Sequence, residues 1–295
     1  MAEKHERAAG GLGSRRPVDR RTALTALGVT GVGLATAAAV KAATGGHAVP
    51  RRPATPVPAS GGTGLACVLT PEETAGPYYL SYGLVRRDIT DGYPGVPLLL
   101  RVTVVDAATC APVTGAALDV WHCDALGEYS GYTSMGIGGS TGAQPAARPS
   151  AAPAPGGGHV NPTDHLTFLR GVQFTDHRGV GEFQTLYPGW YEGRAVHIHV
   201  KVRIGGQISA RYEGGHVAHT GQFYFPEQTT EEVARLDPYR VNHVPRVRNE
   251  NDAYFTAGDD SGLLMLRPGS PLARGLLGTI LVGVNPAATS APVVT

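Results

Sequence analysis

The run EGRAVHIHV, residues 192–200, carries two histidines two positions apart, His197 and His199. In a strand, alternation turns both imidazoles to one face and Val196, Ile198 and Val200 to the other. Their Cα atoms then stand about 6.5–7 Å apart, a gap that two imidazoles can close onto one metal ion. Such a pair serves equally well as ordinary hydrogen-bonded histidines, so neighbouring donors have to decide. The chain has no HxxxH, no HExxH and no carboxylate placed just after the pair. The two-histidine, one-carboxylate set of Fe(II) enzymes and a three-ligand zinc site therefore both lack an evident third donor.

Tyrosines offer another donor set. Tyr187 and Tyr191 bracket a PGW turn that leads into Arg194 and the histidines, and Tyr129 and Tyr132 close the segment DVWHCDALGEYSGY. Two phenolates supply two anionic oxygens, which suit a hard trivalent cation and hold iron as Fe(III). Ionising two phenols with an ordinary pKa of about 10 requires such a charge close by.

The elements that must position these groups are mostly strands. Short β-branched or aromatic runs bounded by Gly, Pro or Asp occupy 97–107, 115–123, 165–175, 181–187, 195–204, 220–225 and 276–284. Only 229–239 has a helical pattern, with Pro238 expected to end it. With Gly 41 and Pro 23 and few charges, the expectation is an all-β, two-sheet β-sandwich with long loops and a short helix, spanning 65–286 and followed by a tail at 287–295. The run 133–162 breaks the pattern as a low-complexity insertion, whose composition favours disorder and whose position could overhang a pocket.

The first 43 residues hold seven Lys/Arg against three Asp/Glu, +4 against +1 for the whole chain, hence −3 for the remainder. That remainder carries no basic patch for nucleic acid. Arg20 and Arg21 precede an apolar stretch of 19 uncharged residues, Thr22 to Val40, rich in Ala, Gly and Thr. This reads as a twin-arginine-type export signal over 1–43, cleaved rather than kept as a membrane anchor, with a Pro/Ala/Gly linker at 44–64. Export predicts an oxidising compartment for Cys67, Cys110 and Cys123. The turn APVTG favours pairing of Cys110 with Cys123, leaving Cys67 over.

Together, TPEETAGPYY (70–79), DVWHCDALGEYSGY (119–132), FLRGVQFTDHRGVGEFQTLYPGWY (168–191), GRAVHIHVKV (193–202) and GQFYFPE (221–227) resemble the intradiol ring-cleavage dioxygenases. The likeness is to the catalytic domains of protocatechuate 3,4-dioxygenases and catechol 1,2-dioxygenases, in their exported single-domain form. That resemblance implies a non-haem Fe(III) held by Tyr129, Tyr191, His197 and His199, with Tyr191 also taking part in catalysis. It makes Arg194 the charge facing the substrate and Gln222 its neighbour, and sets Tyr78 and Tyr79 at the border of the substrate pocket. Tyr132 and Tyr187 are then packing or hydrogen-bonding residues, and Trp121, in mid-strand, a packing residue. The implied reaction is cleavage of a catechol-type diol by O2 to a cis,cis-muconate-type diacid, with no organic cofactor. The helical N-terminal dimerisation domain of catechol 1,2-dioxygenases has no counterpart in these motifs, and one chain carries all four implied ligands.

Two rival classes remain at this level. A non-catalytic exported β-sandwich binding module explains the strands but not the grouping of Tyr129, Tyr191, Arg194, His197 and His199. A zinc hydrolase explains the histidine pair alone.

Overall fold

The computed structural model describes residues 67–135 and 160–291. The expected export signal, the linker and most of the low-complexity insertion lie outside the described residues. Among the described residues, eight strands form two four-stranded sheets: β1 Pro97–Asp106, β2 Ala117–Trp121, β3 Arg170–Phe174, β4 Val180–Leu186, β5 His197–Ile208, β6 Tyr212–Tyr224, β7 Met265–Pro268 and β8 Leu276–Val284. One sheet has the order β4-β1-β8-β7 and the other β3-β2-β5-β6. All pairs are antiparallel except β1 with β8, which run parallel from Leu98 beside Leu276 to Asp106 beside Val284. The expected β-sandwich is the observed fold.

Strand alternation builds the core. Leu98, Leu100, Val102 and Val104 of β1 are buried with Leu118 and Val120 of β2, Ile198, Val200 and Val202 of β5, Phe223 of β6, and Ile280 and Val282 of β8. Each such side chain contributes about 1.5–3 kcal/mol by leaving water. Because Ile198 and Val200 face this core, His197 and His199 must face the outer side of their sheet.

Several expected boundaries move. The run 165–175 yields only Arg170–Phe174, because Leu169 takes a left-handed φ of 56° and the chain before it turns. The helix is α1, Glu227–Val233, capped at Ala234, so it ends before Pro238. Strands β5 and β6 extend well past their apolar runs into a long hairpin rich in Gly and charged residues, and β7 was not expected at all. A second short helix, α2, spans Ala253–Ala257. Main-chain pairing dictates these pieces, and hydropathy does not report it.

The cysteine pairing differs from expectation: Cys67 bonds Cys110, and Cys123 is a free, buried thiol. Strands β1 and β2 lie in different sheets, so the turn between them is no hairpin. Cys110 precedes β2 and Cys123 follows it, and the strand holds the two apart.

Candidate metal centre

The outer face of the sheet β3-β2-β5-β6 carries a row of side chains in register: Arg170 beside Trp121, Trp121 beside His199, and His199 beside Gln222. His197 is the next outward residue on β5 and pairs with Tyr224. Chain segments lie over this face and bury it. Glu73 donates its N–H to the Thr220 carbonyl at 2.9 Å. Gly76, at φ +65°, passes so close that a Cβ there would meet His199 Cε1 at 3.2 Å.

Four donor atoms meet beneath this cover. His197 Nε2 lies 3.0 Å from His199 Nε2, 3.2 Å from the Tyr191 hydroxyl and 3.5 Å from the Tyr129 hydroxyl. All four residues are buried. Tyr191 arrives from the turn just before β5, while Tyr129 comes from the loop after β2. Arg170 secures that loop, donating from Nε to Ser130 Oγ at 2.8 Å and from Nη2 to the Ser130 carbonyl at 2.8 Å. His197 Nδ1 donates to the Ala195 carbonyl at 2.7 Å, which leaves Nε2 with its lone pair facing the cluster. Among the described residues, the buried His199 Nδ1 has no hydrogen-bond partner.

Burial governs the electrostatics. It drives both phenols upward, while the positive charge of Arg194 opposes the rise at each. Burial also lowers His197 to about 3, helped by Arg194, and takes His199 well below its ordinary value. At neutral pH the imidazoles are therefore free bases, ready to ligate. The phenols ionise only if a strong positive charge sits among the four atoms. Ligands bound to one ion at about 2.0–2.2 Å sit about 3–3.5 Å from each other when neighbouring, which is the spacing found around His197 Nε2. The donor set thus fits a hard cation. Among the described residues no group of three or more His, Cys, Asp or Glu side chains comes together as a metal site, so the extra donors beside the histidine pair are phenols.

Arg194 lies next to the cluster, buried and firmly held. Its Nε donates to Asp252 Oδ2 at 2.9 Å and its Nη2 to Gln222 Oε1 at 2.6 Å. The Tyr254 ring stands 4.3 Å from its Cζ. Gln222 donates in turn to the Thr74 carbonyl at 3.1 Å, and the Tyr224 hydroxyl donates to Glu73 at 2.6 Å.

The other sequence candidates separate cleanly. Tyr78 stacks on Tyr129 with centroids 4.7 Å apart and meets Tyr191 edge-on at 6.4 Å. Tyr79 turns away to Asp119, donating at 2.8 Å, with Lys201 Nζ 3.4 Å above its ring. Tyr187 lies in the sandwich core against Thr230, and Tyr132 donates to the Val160 carbonyl. Met135 and Val160, the residues flanking the undescribed part of the insertion, both pack on the aromatic cluster that holds Tyr129 and Tyr191. Sequence reasoning missed Asp252, Tyr224 and Glu73; the only hint was Asp252 preceding a short helix as an N-cap residue.

Among solved structures, the chain is similar to an intradiol ring-cleavage dioxygenase from Tetranychus urticae, at 31% identity and a TM-score of 0.62, over 77% of this chain and 98% of that one. A second solved dioxygenase matches at 31% identity and a TM-score of 0.62, covering 76% of this chain and 97% of its own. The dioxygenase domain of a carbohydrate-binding fusion protein from Streptomyces sp. SirexAA-E shares 28% identity over 73% of this chain and 99% of that one, with a TM-score of 0.46. No family model and no curated protein matches the chain. The fold is the β-sandwich of the intradiol dioxygenases. The chain belongs to the intradiol ring-cleavage dioxygenase family.

Proposed function

We propose that this protein opens catechol-type aromatic diols with O2 between the two hydroxyl-bearing carbons, giving cis,cis-muconate-type diacids, and that it does so with a non-haem Fe(III). The observation that carries this reading is the meeting of two phenol oxygens and two imidazole nitrogens around His197 Nε2, at 3.0–3.5 Å. Tyr129, Tyr191, His197 and His199 would hold the ion. When bound, ferric iron draws charge from a catecholate ring and makes that ring reactive toward dioxygen.

The chain's own groups supply orientation and proton handling. The Tyr191 phenolate takes up one catechol proton at its Oη, and Arg194 stabilises the negative charge that the substrate brings. Gln222 keeps the Arg194 fork turned to one side through Nη2. Burial of the whole cluster excludes bulk water and strengthens these charge interactions. Atoms balance without a further reductant, since both oxygens of O2 end in the diacid. Tyr78, stacked on Tyr129, borders the substrate position, and Tyr79 packs on the same aromatic cluster while donating to Asp119. The twin-arginine-type segment supports action outside the cytoplasm, on a substrate met there.

The deciding experiment is a visible spectrum with iron analysis of purified protein, followed by anaerobic titration with catechol. Tyrosinate-to-Fe(III) charge transfer predicts a red-brown protein whose band moves to longer wavelength as catechol binds. A colourless protein after reconstitution with iron rules the reading out.

A further inference from the structure

Asp252 carries four hydrogen bonds on one carboxylate, and its two oxygens serve different parts of the molecule. Oδ1 accepts from the N–H groups of Tyr254 at 2.9 Å and Phe255 at 3.2 Å, capping α2. Oδ2 accepts from Arg194 Nε at 2.9 Å and from the Ala195 N–H at 2.8 Å. The side chain is 0% exposed and that of Arg194 9% exposed, so each charge depends on the other for compensation. The carbonyl of the same residue, Ala195, accepts from His197 Nδ1 at 2.7 Å.

We infer that Asp252 is a positioning residue, whose Oδ2 fixes the Arg194 guanidinium and the chain entering the histidine strand. A guanidinium is planar. Contacts at Nε, to Asp252, and at Nη2, to Gln222, therefore set its plane, and the Tyr254 face closes one side of it. Among the described residues Nη1 makes no hydrogen bond, so it is the donor left for a substrate. The Ala195 contact ties the approach to His197 to the same oxygen. Asp252 thereby couples the substrate-facing charge to a metal ligand without touching substrate or metal itself. For its effect on catechol, this inference rests on the ring-cleavage reading proposed above; for the hold on Arg194 it does not.

Asp252→Asn separates the two oxygens. Asparagine caps helices about as well as aspartate, so the Oδ1 role survives, while an NH2 group now faces two N–H donors. The expected result is a folded protein that keeps its iron and its colour but loses about 10–100-fold in kcat/KM for catechol, with weaker catechol binding in the anaerobic titration. The second measurement uses metal-free protein: melting temperatures of wild type, Arg194→Met, Asp252→Asn and the double variant. Non-additive shifts are expected, the double variant melting higher than the sum of the single losses, because Arg194→Met alone strands a buried carboxylate. Additive shifts, or Asp252→Asn with wild-type catechol affinity and turnover, overturn the inference. If wild type binds no iron and leaves catechol intact, the ring-cleavage reading fails, while the metal-free cycle still decides whether Asp252 holds Arg194.

Discussion

The Trp121 indole lies flat against the His199 imidazole, with ring planes 2° apart and centroids 4.9 Å apart. The two are direct cross-strand partners in β2 and β5. Since His199 Nδ1 has no hydrogen-bond partner among the described residues, stacking and the close passage of Gly76 help the Nε2 contact with His197 to orient that ring. Trp121 packs as expected, though at the end of β2 and not in mid-strand, and what it packs against is a candidate ligand.

Trp121→Ala is therefore expected to cost about 3–5 kcal/mol of stability and, in addition, to weaken iron binding by about 10–100-fold. Chemical denaturation and iron competition with a chelator measure the two effects. Trp121→Phe, which keeps a ring face, retains most of the iron affinity. Equal iron affinity in the alanine variant contradicts the orienting role.

Tyr191→Phe removes one phenol oxygen from the cluster. The expected outcome is an altered charge-transfer band and a fall in turnover of about 100-fold or more, the range for loss of a positioned proton-transfer group. Tyr187→Phe serves as the control, because that hydroxyl pairs with Thr230 at 2.6 Å in the core; its spectrum stays that of wild type.

Glu73 gives a pH signature. Burial lifts its carboxyl from 4.5 to about 7, against the opposing hydrogen bond from Tyr224 and the charge of Arg194. The folded state thus holds a proton that the unfolded chain has released, so the contribution of Glu73 to stability falls as pH rises between about 4.5 and 7 and levels off above that window. Histidines that burial holds low, His197 at about 3 and His122 and His219 at about 4, give a slope of opposite sign below about pH 6.5. Wild type and Glu73→Gln are therefore melted side by side from pH 4 to 8, and the stability of wild type relative to the variant is expected to fall across the window. Asp119, raised by burial to about 6, adds a slope of the same sign as Glu73, so the difference between the two proteins is the quantity to read.

The Cys67–Cys110 bond closes a loop with a sequence separation of 43 residues. Loop-closure entropy for that length corresponds to about 4 kcal/mol, or a drop of about 10 °C in melting temperature on reduction for a domain of this size. Melts with and without reductant, and of Cys110→Ser, check this. Cys123→Ser leaves the reductant response intact, because that thiol is free.

The sequence by itself determined what depends on local periodicity. Alternation in AVHIHV puts His197 and His199 on one face and Ile198 and Val200 on the other, and the turn signals mark most of the sandwich strands. The chemical preference of paired phenols for a trivalent cation is likewise a property of residue types. Tertiary structure decided what depends on which distant segments cover the outer face. Tyr129 stands 68 residues from His197 and Asp252 stands 58 from Arg194, and no repeat or spacing links either pair. Residue types left Tyr129 with Tyr132, and Tyr191 with Tyr187, as equal candidates. The family resemblance named Tyr129 and Tyr191; Tyr187 lies in the core between the sheets, and Tyr191 in the aromatic cluster with Tyr129. The cysteine pairing turned on the same fact, since β1 and β2 belong to different sheets. A sequence fixes the faces of its own short elements; which faces meet is set by the packing of the whole chain.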